Sequence, residues 1–285
     1  MHKYLLAFKL IRYGIEMKLC NFLRIKSSKR IHENYYNIIT KFSELGVDEF
    51  VCMNYGFASD NELKLNPLDE AERYPLQLYD YVATGAGTLS LTDLDVLEVG
   101  SGRGGGASYI ARYYKPKKII GMDLSSYATQ FCMQNYKDIH NLDFINGDAE
   151  AIPFSDSSLD AVINVESSHC YPNFENFVEE VNRILKPGGY FLFTDFRSTP
   201  EVDIFDKTFE KTGFQKLYEQ DISRSVIDSL TADTKHRLEI IKKIKMPWFI
   251  RMPIKDFAGC VNSNTYNAYA KGKRKYMYYV LQKPA

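Results

Sequence analysis

The residues able to do chemistry gather at the ends of three short apolar runs. Val96-Leu97 leads to Glu98, Ile119-Ile120-Gly121-Met122 to Asp123, and Phe144-Ile145-Asn146-Gly147 to Asp148. The first run is followed by Gly100-Ser101-Gly102-Arg103-Gly104-Gly105-Gly106 and then by the helix-like stretch Ala107 to Tyr114. Strand, glycine turn, helix is the opening half of a nucleotide-binding βα unit. Glycine lets such a turn bend sharply and lets backbone approach a ligand. Gly100, Gly102 and Gly105 satisfy the G-x-G-x-x-G spacing of a dinucleotide site. Glu98 weighs against that reading, because a carboxylate at the strand end repels a pyrophosphate. It suits a ligand with positive charge and no phosphate. S-adenosylmethionine, with an ammonium and a sulfonium, is such a ligand. Asp123 follows Gly105 by 18 residues, the place for a carboxylate accepting from ribose hydroxyls. Asp148, followed by Ala149-Glu150, suits an acceptor for an adenine amino group. The plainer use of one acid after a strand is to cap a helix. Three acids at three successive strand ends make that a poorer account of the set.

The elements that must hold these groups follow a βαβ rhythm from Asp93 onward. Strands are expected at Val96–Val99, Lys118–Asp123, Leu142–Asp148, Leu159–Val165, Tyr190–Thr194, Phe214–Tyr218 and Tyr276–Leu281. Helices are expected at Leu68–Thr84, Ala107–Tyr114, Ser125–Tyr136, Phe174–Leu185, 201–213 and Ser223–Lys245. Lys186-Pro187-Gly188-Gly189 reads as a helix stop. The fold class is therefore α/β, with strand ends clustered at one edge of a parallel sheet, where ligands bind in such folds.

Composition bounds the rest. The chain has 285 residues, 45% hydrophobic and 14% aromatic, enough for a full core. Lys plus Arg and Asp plus Glu are both 36, which argues against nucleic-acid binding by bulk electrostatics. Five scattered cysteines (Cys20, Cys52, Cys132, Cys170, Cys260) form no C-x-x-C pair and no metal-ligand cluster is apparent. They fit a reducing, cytoplasmic setting. Residues 1–30 carry eight basic residues against Glu16, a charge of +7, with apolar residues interleaved. Two uses stay open for them: weak peripheral contact with an anionic membrane surface, or a helix packed on the catalytic domain.

As ordered motifs, Glu98 to Gly106, Gly121-Met122-Asp123-Leu124-Ser125, Gly147-Asp148-Ala149-Glu150-Ala151-Ile152-Pro153-Phe154 and Leu185-Lys186-Pro187-Gly188-Gly189-Tyr190 resemble class I S-adenosylmethionine-dependent methyltransferases. A narrower resemblance rests on Gly104 to Tyr109, Asn164-Val165-Glu166-Ser167-Ser168-His169-Cys170-Tyr171-Pro172 and the upstream Asn54-Tyr55-Gly56. These are similar to the phthiotriol and phenolphthiotriol dimycocerosate methyltransferases, and more distantly to sterol and tocopherol methyltransferases. The resemblance implies a Rossmann-like, seven-stranded, mostly parallel sheet with a C-terminal antiparallel hairpin and a helical N-terminal lid. It divides the chain into an extension over 1–90 and a catalytic domain over 91–285, with an insertion at about 221–275 that helps cover the acceptor. It implies Glu98, Gly100, Gly102, Asp123, Leu124, Asp148, Ala149 and Asn164 as contacts of S-adenosylmethionine, with Tyr55 over its methionine part. It further implies a hydrophobic small molecule or lipid as methyl acceptor, most readily at a hydroxyl oxygen. His169, just beyond strand four, is then the candidate base. Glu166 is the alternative catalytic group, for a carbon acceptor with a cationic intermediate; nitrogen acceptors are a further alternative. A non-catalytic cofactor-binding subunit is the competing class, which a product assay separates.

Overall fold

The computed structural model describes residue 37 and residues 51–61, 63–243 and 248–285. The basic segment 1–30, most of the expected N-terminal helical extension and the stretch Met246-Pro247 lie outside the described residues. Among the described residues, seven strands form one sheet: β1 (Asp95–Val99), β2 (Lys118–Asp123), β3 (Leu142–Asn146), β4 (Leu159–Val165), β5 (Leu185–Ser198), β6 (Gln215–Asp221) and β7 (Arg274–Gln282). Their order is β3-β2-β1-β4-β5-β7-β6. Strand β7 runs antiparallel to both neighbours, and the other pairs are parallel. Chain order reverses between β1 and β4, which opens a crevice beyond their carboxyl ends.

The helices are α1 (Arg73–Ala83), α2 (Gly105–Tyr113), α3 (Ser126–Asn135), α4 (Phe174–Ile184), α5 (Ile204–Lys211), α6 (Ser223–Lys243), α7 (Trp248–Phe257) and α8 (Asn264–Ala270). The last three fill the connection between β6 and β7. Side-chain caps start α3 and α4: Ser125 accepts from the Ala128 amide and Asn173 from the Asn176 amide.

Several boundaries differ from expectation. Strand β5 begins at Leu185 rather than Tyr190, because Leu185 already pairs with Leu159 before the register shifts and Ala161 meets Tyr190. Lys186 to Gly189 is thus a bulge within a strand, held by Gly188 and Gly189 bonds to Lys283. Its far end continues to Ser198, opposite Arg274. Helix α1 starts at Arg73, after a 3₁₀ turn at Glu70–Glu72, and Leu68 is left in solvent. Helix α5 likewise follows a 3₁₀ turn at Thr199–Glu201. Helix α8 was not legible as a helix from its composition.

Alternation along β5 and β7 splits the core. Phe191, Phe193, Met277, Tyr279 and Leu281 face one side of the sheet, with α4 and α5. Leu192, Tyr276, Tyr278 and Val280 face the other, with α1, α2 and α6. On the first side Phe191 is fully buried, with the rings of Phe177, Phe193, Phe209 and Phe214 at 5.5–6.0 Å. Phe191→Ala should cost about 3–5 kcal/mol by loss of burial and the cavity left behind. Equilibrium urea unfolding checks this; a loss below about 1 kcal/mol would show that the aromatic cluster recloses around the gap.

Candidate functional site

The cleft lies beyond the carboxyl ends of β1, β2, β3 and β4 and has an empty volume of about 930 Å³. Its floor is the β1–α2 turn, Gly100 to Arg103. Gly104 adopts a left-handed conformation, φ 77°, at the position that starts α2. A side chain there would meet Phe144 at 2.7 Å, and one at Gly105 would meet the Cys52 sulfur at 2.6 Å. Neighbouring elements close on the turn because it carries no side chains at these positions.

Glu98 stands beneath this turn, fully buried. Tyr79 of α1 donates its hydroxyl to Glu98 Oε1 at 2.7 Å, and the Ala107 amide also supports the carboxyl. Burial raises the carboxyl to about 7 against those two bonds, which favour the charged form. Its other oxygen, Oε2, has no hydrogen-bond partner. An orphaned buried carboxyl oxygen below a glycine-rich turn fits a ligand that brings positive charge. Glu98 itself is not among the residues lining the cleft.

Asp123, Leu124, Asp148 and Ala149 all line the cleft, with Gly100 and Gly102. Asp123 accepts the Gly102 amide on Oδ2 and the Ser125 amide on Oδ1, each at 2.8 Å. These two bonds fix both oxygens at the mouth of the turn. Burial nevertheless holds its carboxyl above the ordinary 3.8. Asp148 accepts the Glu150 amide at 2.9 Å, which sets the turn after β3. Asn164 is placed differently: it lies below the wall, fully buried, and its amide nitrogen donates to Val99 O at 2.9 Å and to Ser167 Oγ at 2.7 Å. It ties β4 to the end of β1.

On the β4–β5 side, Glu166 lines the cleft with a left-handed backbone, φ 50°, uncommon for a residue with a side chain. Its Oε2 accepts the Tyr55 amide and the Tyr276 hydroxyl, both at 2.8 Å. Burial outweighs these bonds and the nearby His169, and the carboxyl rises to about 8. Glu166 is therefore predominantly neutral at pH 7.

His169, one residue from the cleft-lining Cys170, pairs its Nδ1 with Asp195 Oδ1 at 3.0 Å, and its ring stacks on Phe196 at 4.5 Å. Asp195 is fully buried and takes four further bonds or contacts: Ser168 Oγ at 2.6 Å, the amides of His169 at 2.8 Å and Phe196 at 2.7 Å, and Arg197 at 3.6 Å. Burial opposes charge on both partners. For His169 the Cys170 thiol and Asp195 outweigh it and hold the ring well above 6.5. For Asp195 the His169 ring and Arg197 outweigh it and bring the carboxyl down to about 2. Nδ1 is committed to Asp195, and the ring also takes a side-chain hydrogen bond with Cys170.

Tyr55 does not line the cleft, although Val51, Cys52, Met53 and Asn54 before it do. Its ring packs on Phe196 at 5.7 Å and on Tyr269 at 5.9 Å. What Tyr55 contributes to the cleft wall is its backbone, through the bond to Glu166. Asp195 escaped the sequence reading, which ended strand five at Thr194. An acid at a strand end was the available signal, the same one that marks Glu98, Asp123 and Asp148. Tyr79 left no such signal, since it reads as one apolar position of a helix. Among the described residues no three His, Cys, Asp or Glu side chains come together as a metal site.

A family model described as a methyltransferase domain matches residues 97–193. The phthiotriol/phenolphthiotriol dimycocerosates methyltransferase of Mycobacterium tuberculosis is 34% identical over 90% of this chain and 93% of its own. The fatty-acid O-methyltransferase of Mycolicibacterium smegmatis is 34% identical over 92% of this chain and 93% of its own. Among solved structures, the [4+2]-cyclase SpnF superposes with a TM-score of 0.69, covering 89% of this chain and 96% of that one. At 19% identity that likeness speaks for the fold alone.

The charges of the His169–Asp195 pair carry a signed pH dependence. A raised imidazole adds stability that is full below pH 6.5 and is lost as pH rises through its folded value. A lowered carboxyl adds stability above pH 3.8 that is lost as pH falls toward about 2. The pair is therefore strongest between those two ordinary values. Asp195→Asn should lower the His169 titration toward 6.5, with the Cys170 contribution left in place, read by NMR titration of its ring protons. An unchanged titration would mean that Asp195 does not hold the charge on the ring.

Proposed function

Since this chain belongs to the S-adenosylmethionine-dependent methyltransferases, we propose that it methylates an oxygen of a hydrophobic, lipid-type acceptor. The relatives' names, one a dimycocerosates methyltransferase and one a fatty-acid O-methyltransferase, support both the oxygen and the greasy acceptor. The observation that carries the reading is the His169–Asp195 pair beside the cleft.

S-adenosylmethionine supplies a methyl group on a sulfonium that is already a good leaving group. The residues fitted to hold it are Asp123 for the ribose hydroxyls, Asp148, Ala149 and Leu124 around the base, and Gly100 and Gly102 under the amino-acid end. Glu98 adds negative charge below the turn, and Asn164 and Tyr55 brace the wall from behind. The remaining task is alignment in a dry site. Phe196, Tyr55, Tyr269 and Tyr276 give the His169 side an aromatic surface that excludes water. A hydroxyl acceptor must also lose a proton, and neutral His169 accepts it at Nε2 while Asp195 keeps the ring oriented. Glu166, neutral near pH 7, serves as a polar wall group. Carbon methylation would ask it to stand as a carboxylate beside a cation, and its value of about 8 disfavours that at neutral pH.

Among the described residues no helix is long and apolar enough to cross a membrane. Contact with a lipid surface is assigned instead to residues 1–30, whose charge of +7 and interleaved apolar residues suit an anionic bilayer face.

Two measurements test the assignment. Asp123→Ala should weaken S-adenosylhomocysteine binding in calorimetry by about 1.5–3 kcal/mol, the worth of hydrogen bonds to a charged group. Unchanged affinity would remove Asp123 from the ribose. His169→Ala should keep that affinity while turnover falls on the order of 10²–10⁴-fold. Wild-type turnover should climb above pH 6.5, as the raised His169 gives up its proton. The His169→Ala deficit should shrink at the alkaline end, where hydroxide replaces the base. A fully active His169→Ala enzyme would leave alignment alone to explain the rate.

A further inference from the structure

The β6–β7 insertion reaches the cleft wall through a buried ion pair. Within α6, Arg237 and Asp233 form an ion pair with Nε to Oδ2 at 2.7 Å, both side chains at least nine-tenths buried. Arg237 spends its other donors on two backbone carbonyls: Ala258 O at 2.9 Å and Asn54 O at 3.3 Å. The second is the telling one. The carbonyl of Asn54 and the amide of Tyr55 belong to one peptide group, and that amide donates to Glu166 at 2.8 Å. A single peptide is thus held from both ends, by a buried cation on its oxygen and by a cleft carboxyl on its nitrogen. Ser229, two turns before Arg237 on α6, donates to the next carbonyl, Tyr55 O, at 2.9 Å. Gly56 follows at φ 78°, where a side chain would strike the Ser229 hydroxyl. Val51 to Asn54, the strand of chain leading into this peptide, lines the cofactor cleft.

A buried ion pair is a poor way to gain stability, since apolar replacements of similar volume are often neutral or better. What a guanidinium adds is direction: planar donors that reach several acceptors at fixed angles, which a lysine ammonium does not reproduce. We propose that Arg237 is a positioning residue of the methyl-transfer site, which sets the Asn54–Tyr55 peptide and so locks the cleft-lining segment 51–54 and Glu166 in place. The insertion and the segment that walls the cleft are then held together as one unit. The inference rests on the reading of the cleft as the S-adenosylmethionine site.

The test compares full-length wild type, Arg237→Lys and Ser229→Ala by calorimetry with S-adenosylhomocysteine and by amide hydrogen exchange. Arg237→Lys should raise the dissociation constant roughly tenfold, about the size of one charge-assisted hydrogen bond. Ser229→Ala should raise it by a smaller factor. In both, the amides of residues 54–57 should exchange faster, while those of β1 and β4 keep wild-type protection. That local pattern separates positioning from general loss of structure, which would speed the sheet amides too. Ser229→Ala keeps the test alive if Arg237→Lys does not fold. Wild-type affinity in both variants, or faster exchange across segment and sheet together, overturns the inference. Wild type that fails to bind S-adenosylhomocysteine overturns the underlying reading of the cleft instead.

Discussion

The architecture depends on a turn whose glycines have no room for side chains. The β1–α2 turn is where the segment 51–53, helix α1, strand β3 and the loop after β4 all meet. Val51 and Cys52 press on Gly105, Tyr79 on Gly106, Phe144 on Gly104 and Ser167 on Gly100. A Cβ at any of these positions would displace a neighbour that is packed elsewhere, so the glycines are required by space as much as by backbone angle. This close approach brings Tyr79 within reach of Glu98 and leaves one carboxyl oxygen buried without a partner. The cleft exists because these glycines are bare, and Glu98 lies directly below them.

The far wall follows a different logic. Two acids stand beside one histidine in the fold, and their surroundings drive them apart. Asp195 is saturated with donors and stays charged. Glu166 has a peptide amide and a tyrosine hydroxyl but more burial than those offset, and it holds its proton. Environments that split two similar groups in this way assign them different work. The charged one pairs with the imidazole, and the neutral one fixes the cleft wall through the Tyr55 amide and the Tyr276 hydroxyl. Arg237 reaches this wall through a peptide bond, so the late insertion and the early segment around Asn54 belong to the same structural unit.

Much of this was readable in the chain, and the reasons for the rest are physical. Glu98, Asp123 and Asp148 announce themselves because a strand end and its acid are adjacent in sequence. The parallel core follows from periodicity and the hairpin from the family resemblance, and the terminal hairpin emerged as β6 and β7 with helices between them. The bulge in β5 was hidden, because Lys186-Pro187-Gly188-Gly189 looks like a stop and its partner Lys283 is 94 or more residues away. Asp195 meets His169 across 26 residues, and Arg237 meets Asn54 across 183. Such pairings depend on how strands order themselves in the sheet. Tyr276 shows the same limit: its ring is core, as its pattern says, yet its hydroxyl completes Glu166.

The central claim is that one cleft holds the methyl donor with its sulfur turned toward His169. A crystal structure of the full chain with S-adenosylhomocysteine tests it most directly. The account predicts ribose hydroxyls on Asp123, the adenine beside Asp148 and Ala149, and the sulfur on the side of the cleft walled by Glu166, facing the Nε2 of His169. A ligand seated in the cleft with its sulfur directed away from the His169–Asp195 pair, or seated elsewhere on the sheet, would contradict it.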